Sequence, residues 1–156
     1  MSIILPCLYS FLACIGFCII FNIRGKMIFY ASIGGALAWL TFELAAVYQN
    51  DLIQYFAATV VLSLYSEIMA RVHKVPVTIF LIAALIPLVP GSGIYYTMEH
   101  FIQGNTQEFL STFIHTFAIA GSLAFGILLV SSLVYLWKKI ENNHKLKLNK
   151  KMMPHG

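Results

Sequence analysis

The chain has 156 residues, of which 60% are hydrophobic and only 10% are Asp, Glu, Lys or Arg, and its mean hydropathy is +0.82. Soluble domains carry about 25% charged residues, and disordered chains combine low hydrophobicity with high charge, so both classes are excluded. An outer-membrane barrel would show short alternating segments, whereas the apolar runs here are long and continuous. The composition therefore predicts an all-α, polytopic membrane protein.

The net charge of +4 would by itself also suit a nucleic-acid-binding protein. However, six of the ten Lys and Arg residues lie beyond position 137, after the last apolar run. A basic block beside a membrane span usually marks topology and contacts anionic lipid headgroups. We therefore expect 138–156 to be a basic cytoplasmic tail that meets membrane lipid, with no nucleic acid as partner.

Five segments reach the roughly 20 apolar residues that a helix needs to cross a bilayer. The first carries no charge, and it is too long and has too little basic sequence before it for a signal peptide. The fifth is longer than one perpendicular span, so it must tilt or start late. The predicted spans are 3–21, 27–48, 52–72, 75–98 and 109–137, which together form a single transmembrane domain over 1–137.

The basic residues predict the orientation, because they fall in alternate loops. Arg24 and Lys26 occupy the first loop, Arg71 and Lys74 mark the third, and the second and fourth loops carry only acidic charges. By the positive-inside rule the N-terminus lies outside and the C-terminus inside. Five spans with this orientation resemble one half of an inverted-repeat transporter, so we hypothesise that the other half is a separate chain.

Polar residues within the spans recur at helical spacing, which places each set on one helix face. Small and hydroxyl residues suit close helix packing, and we expect these faces to turn inward. The three stripes are Ser32, Gly35, Trp39 and Glu43; Thr59, Ser63, Ser66, Glu67 and Ala70; and Ser111, His115, Ala118, Ser122 and Gly126.

Four ionisable residues on or near these stripes are candidates for proton coupling or gating, because charge inside the hydrocarbon is costly. Glu67 and Arg71 are four residues apart and can pair along the helix, either to orient it or as a gate or proton carrier. Glu43 is a second, less favoured proton carrier. His115 could relay protons, but we favour a hydrogen bond to a neighbouring helix.

Catalytic and metal-binding patterns are missing from the sequence. Cys7, Cys14 and Cys18 share one stripe, where they are too few for a metal site and unsuited to a disulfide, so we interpret them as packing residues. No Ser-His-Asp set or Gly-rich phosphate loop is found. We therefore expect no enzymatic activity, no metal and no cofactor.

The fourth span is broken near the bilayer midplane by two prolines and two glycines. Each proline removes a backbone donor, and the glycines relax the backbone further. A break leaves free N–H groups at the start of the outer half-helix, where the partial positive charge suits a carboxylate. Transporters build substrate sites from such helices, whereas a plain proline kink would bind nothing. The candidate substrate-binding residues are Pro87, Pro90, Gly91, Ser92, Gly93 and Tyr95.

The same residues carry a family resemblance. The pattern consists of Glu67-x-x-Ala70-Arg71, then Pro76 and Phe80, then the run Ile86-Pro87-Leu88-Val89-Pro90-Gly91-Ser92-Gly93-x-Tyr95. It resembles the C-terminal half of threonine/serine exporters (ThrE). That half also occurs as a small subunit of the YjjB type. The Lys-rich tail lies outside this pattern.

The resemblance implies a bacterial inner-membrane secondary exporter coupled to the proton motive force. Its substrates would be threonine and serine, and related two-subunit systems are linked to succinate. The implied partner is a larger subunit of the YjjP type, with a cytoplasmic N-terminal domain and five spans, and a higher oligomer is compatible with this arrangement. A non-transporting scaffold or assembly subunit remains the alternative, in which Glu67, Pro90 and Gly91 matter only for stability.

Overall fold

The computed structural model describes residues 4–152, with side chains up to residue 140, and its regular elements are all helices. The α-helices are α1 (Ile4–Ile20), α2 (Met27–Leu44), α3 (Asp51–His73), α4 (Thr78–Leu85), α5 (Gly91–Ile102) and α6 (Thr106–Met152). Short 3-10 turns at Ala45–Tyr48 and Ile86–Leu88 extend α2 and α4. The predicted all-α class is confirmed.

Local sequence signals set the ends of α3. The Asn50 side chain accepts a hydrogen bond from the Leu52 N–H at 3.0 Å, and Asp51 places a negative charge in the first turn. Both features favour a helix start. At the other end Lys74 adopts a left-handed conformation with φ of 55°, which stops the helix shortly before Pro76.

Small residues bring the helices together. α2 packs against α1, α3 and α4, while α6 packs against α3 and α5. A Cβ on Gly34 would lie 2.9 Å from the Tyr65 ring, and one on Gly35 would meet the Cys14 sulfur. Because glycine lets the backbones approach this closely, the core is built largely from small side chains. Its two buried clusters are Cys14, Ala38, Ala58, Leu62, Ala84, Leu88 and Leu123, and Cys18, Ala31, Ala70, Phe80 and Ala83.

Large apolar side chains are exposed on every helix, from Ile4 in α1 to Ile140 in α6. In a soluble protein such a surface would be a liability, whereas in a bilayer it faces lipid tails or neighbouring membrane helices. The exposed apolar surface thus agrees with the membrane protein that the composition predicts.

The helix lengths support most of the predicted spans. Three helical stretches are long and apolar enough to cross a membrane, and the bent pair formed by Thr78–Leu88 and Gly91–Ile102 is a fourth if it makes one span. The three are Met27–Tyr48, Asp51–His73 and Thr106–Ile140. α1 has 17 residues and reaches about 26 Å at 1.5 Å per residue. The count of five and the N-out orientation stay predictions.

The last helix is longer than expected. α6 spans 47 residues and does not end at Trp137, where the predicted span stops. At 1.5 Å per residue it is about 70 Å long, more than twice the ~30 Å hydrocarbon core. The first part of the basic tail therefore continues the helix, while 153–156 lie outside the described residues.

Candidate functional site

The predicted break in the fourth span is confirmed and lies at Val89 and Pro90. The 3-10 turn after α4 ends at Leu88, and Val89 is extended with φ of −64° and ψ of 132°. Pro90 precedes the first residue of α5, and the two halves are bent by 51°. Since proline cannot donate to the preceding turn, the chain cannot continue one regular helix through this point.

The start of α5 presents unpaired backbone donors. The Gly91 N–H donates to the Val89 carbonyl at 2.7 Å, and the Ile94 N–H donates to Pro90 at 3.2 Å. Between them, the N–H groups of Ser92 and Gly93 have no acceptor within the described chain. Such first-turn groups point out of the helix start and carry partial positive charge, so they favour an anion.

Gly93 is also a point of close approach between α5 and α6. A Cβ on Gly93 would meet the Thr116 hydroxyl and lie 3.1 Å from its methyl carbon. One turn later the Thr97 hydroxyl donates to the Gly93 carbonyl at 2.6 Å. Glycine is needed here because of this packing, whereas its φ is negative and needs no special residue.

A cavity of about 510 Å³ lies between α5 and α6, beside the break. The hydroxyls of Thr97 and Thr116 are the polar side chains in its wall, which is otherwise apolar. The lining residues are Leu85, Val89, Pro90, Ile94, Thr97, Met98, Phe113, Thr116, Phe117, Ala120, Leu123, Ala124 and Ile127. Pro90 and Ile94, which flank the two donors in the sequence, lie in this wall, and the cavity can hold the apolar part of a small molecule.

A second cavity of about 260 Å³ lies on the other side of the break and includes Pro87. Its remaining wall comes from α1 and from Trp39 of α2. Ser10 lies in this wall and donates its hydroxyl to the Gly35 carbonyl at 3.0 Å. The broken segment therefore separates two cavities.

The six candidate binding residues do not converge on one cavity. Pro90 lines the larger one and Pro87 the smaller, while Ser92 is exposed at the start of α5. Tyr95 is 65% exposed, and its ring lies edge-on to Tyr96 at 5.5 Å. Ser92 and Tyr95 therefore face away from the cavity wall, toward whatever covers α5 in the membrane.

Glu67 and Arg71 form the expected pair along α3. Arg71 Nη2 lies 3.8 Å from Glu67 Oε2, too far for a hydrogen bond, and the Glu67 side chain is far more buried. Within residues 4–140, this Glu67 oxygen is buried and accepts no hydrogen bond. The carboxylate is thus held in place mainly by charge attraction.

Glu43 and His115 lie away from this pair. Glu43 sits in the last turn of α2, half-buried, and makes no ion pair within the described side chains. His115 is exposed, and its Nε2 lies 3.7 Å from Asp51 Oδ2 at the start of α3. His115 therefore lies near a carboxylate of α3, at a distance too long for the hydrogen bond that the sequence predicted.

Sequence reasoning missed several contacts that depend on the fold. His100 Nδ1 lies 3.2 Å from Glu108 Oε2 across the turn between α5 and α6. The Ser122 hydroxyl donates to the Leu52 carbonyl at 3.0 Å and ties α6 to α3. The small-residue stripes pointed to helix contacts, but nothing in the sequence named these partners. Among the described residues, no His, Cys, Asp or Glu group is placed to hold a metal.

Comparison with known proteins decides the family. Residues 6–133 match the family model described as "Threonine/Serine exporter, ThrE". The chain belongs to the threonine/serine exporter family. An uncharacterised protein of Haemophilus influenzae is 27% identical over 142 residues, which cover 85% of this chain and 48% of that protein. No solved structure matches the chain.

Family membership supports a membrane location for the apolar helices. A member of an exporter family with several long apolar helices is a multi-pass membrane protein and belongs among transporters. The matched region contains both the Pro-Gly break and Glu67, and it ends before the Lys-rich tail. This chain spans about half the length of the Haemophilus relative that it matches.

Proposed function

We propose that this chain is the small membrane subunit of a proton-coupled secondary exporter in the bacterial inner membrane. Its substrates are small carboxylate-bearing metabolites, most of all threonine and serine. The observation that carries the proposal is the pair of free N–H groups, at Ser92 and Gly93, beside the apolar cavity in a member of an exporter family. In this site the substrate carboxylate meets the start of α5.

The partner completes the site. Ser92 and Tyr95 are exposed on the isolated chain, so they can add hydrogen bonds to the substrate only if another helix covers this surface. The matched relative is about twice as long as this chain, which supports a second half. That half is a larger five-span subunit of inverted orientation, and rocking between the halves exposes the site to either side.

Glu67 carries the coupling proton. Its carboxylate is partly buried and accepts no hydrogen bond at Oε2, so protonation removes a charge that is costly inside the membrane. Proton binding and release at Glu67 then bias the two orientations of the halves. Glu43 is the second choice, because it is half-buried but lies near the end of α2.

The free N–H groups bind any carboxylate, so they favour a dicarboxylate such as succinate as much as an amino acid. Cells with and without the gene should be loaded with labelled threonine, serine and succinate, and efflux followed with and without a protonophore. Loss of threonine and serine efflux on deletion supports the first assignment, and loss of succinate efflux alone supports the second. If the protein is present in the membrane and none of the three effluxes depends on it, the exporter proposal fails and a scaffold role is favoured.

A further inference from the structure

Within residues 4–140, two buried hydroxyls of α3 have no hydrogen-bond partner. Ser63 is 2% exposed and Ser66 is 0% exposed, and neither Oγ is bonded to any group within residues 4–140. The unpaired Oε2 of Glu67 follows directly after them on the same stripe. A buried polar group without a hydrogen-bond partner is destabilising. Three such groups on one stripe therefore indicate that a ligand binds there.

Several other hydroxyls in these helices are hydrogen-bonded. Thr59, one turn before Ser63, donates to the Tyr55 carbonyl at 2.7 Å, which is the usual solution for a hydroxyl in an apolar helix. The same bond to the carbonyl four residues earlier is made by Ser32, Thr41, Thr97 and Ser132. Ser63 and Ser66 could donate to the carbonyl four residues earlier in the same way but do not, so their hydroxyls are free to bind another group.

These polar atoms lie on a seam between helices. At one end of the stripe a Cβ on Gly126 of α6 would lie 2.9 Å from the Thr59 Cβ, so α3 and α6 are in close contact there. At the other end Ala70 packs with Phe80 and Ala83 of α4. Ser63, Ser66 and Glu67 fall between these contacts, next to the first half of the broken span.

We infer that Ser63, Ser66 and Glu67 form a hydration site, whose ligands are water molecules that lead to the Glu67 carboxylate. A buried water needs two to four polar partners, and two hydroxyls and a carboxylate on successive turns supply them. None of the three atoms touches solvent in this conformation, so the site is closed here and opens when the seam parts during transport. The inference deepens the proposed function, since the water supplies the proton that Glu67 carries.

Cysteine labelling tests the water directly, because a thiolate forms and reacts only where water reaches it. Ser63→Cys and Ser66→Cys are introduced at the chromosomal gene of the source organism, in a chain whose Cys7, Cys14 and Cys18 are replaced by Ala. The chain then assembles with its own partners. The matched control is Ser32→Cys, because Ser32 is equally buried but donates to the Ile28 carbonyl at 2.8 Å.

A small charged methanethiosulfonate reagent should label Ser63→Cys and Ser66→Cys at least about tenfold faster than Ser32→Cys. Rates no faster than that of Ser32→Cys overturn the hydration site. Efflux is measured in parallel on cells that carry the chain with its native Ser63 and Ser66, so the two proposals fail separately. Fast labelling, when the chain with native serines supports no efflux, refutes the exporter and leaves the water site. Efflux by that chain, without fast labelling of the variants, refutes the water site alone.

A second measurement needs no cysteine and decides the question if the variants do not accumulate. Infrared spectra of the otherwise unchanged protein and of Glu67→Gln, in membranes, isolate the carboxyl band of Glu67. A band that follows the bulk pH shows that water reaches the carboxyl group, and a band that does not respond overturns the inference.

Discussion

The Glu67 carboxylate lies 3.8 Å from the Arg71 guanidinium, one helical turn away, and its buried Oε2 accepts no hydrogen bond within residues 4–140. The Arg71 side chain is 43% exposed, so water and salt weaken the attraction between the two charges. The pair therefore orients Glu67 without holding it tightly. In the proposed function, this carboxylate carries the coupling proton.

Glu67→Gln removes the charge and the titrating group but keeps the shape of the side chain. In proteoliposomes that contain this chain and its partner, we expect proton-driven efflux to fall by at least about tenfold, or about 1.4 kcal/mol in the barrier. Glu99→Gln is the matched control, because Glu99 lies near the end of α5 and accepts a hydrogen bond from Gln103 at 3.2 Å. Unchanged efflux in Glu67→Gln would remove the proton role from this residue.

Gly93→Ala should destabilise the contact between α5 and α6, because the new Cβ meets the Thr116 side chain. Overpacking of this kind costs about 1–3 kcal/mol, which can be measured by denaturation in detergent. Gly91→Ala is the control, since nothing lies within 4 Å of a Cβ at that position. Equal stability of the two variants would contradict the close approach.

The clash at Gly93 also predicts a rescue. Thr116→Ala removes the hydroxyl and the methyl group that a Cβ at Gly93 would meet. The double variant Gly93→Ala with Thr116→Ala should therefore lose less stability than the sum of the single variants. Simple additivity would show that the two residues are not in contact in the membrane.

Tyr65→Phe should weaken the contact between α2 and α3. The Tyr65 hydroxyl donates to the Tyr30 carbonyl at 2.7 Å, and loss of one such bond costs about 0.5–1.5 kcal/mol of unfolding free energy. The control is Tyr95→Phe, because the Tyr95 side chain is exposed on the isolated chain. Denaturation of the purified chain compares the two, and an unchanged midpoint for Tyr65→Phe would refute the bond.

His115→Gln should leave proton-driven efflux within about twofold of the unchanged protein, because an exposed ion pair contributes little. The imidazole and its Asp51 partner are each 57% exposed, so the pair lies at the surface of the chain and not along the Glu67 seam. Efflux at several pH values checks this. A loss of efflux as large as that expected for Glu67→Gln would indicate that His115 takes part in proton transfer.

Much of the candidate site followed from short-range sequence signals. Pro90 interrupts the helix before it, because proline has no backbone donor and its ring clashes with the preceding turn. Glu67 and Arg71 pair because residues four apart share a helix face. The exposed positions of Ser92 and Tyr95 could not be read in this way, since spacing gives the face of a helix but not which neighbour covers it.

The sequence alone determined the all-α membrane class, the broken helix and the family motif, since hydrophobicity, proline geometry and helical periodicity act over a few residues. The tertiary structure alone decided which polar groups have partners. Thr116 packs against Gly93, His115 lies near Asp51, and Ser63 and Ser66 have no hydrogen bond to the side chains and backbone that the structure describes. These relations depend on how helices distant in the chain pack together, and no local pattern encodes that packing.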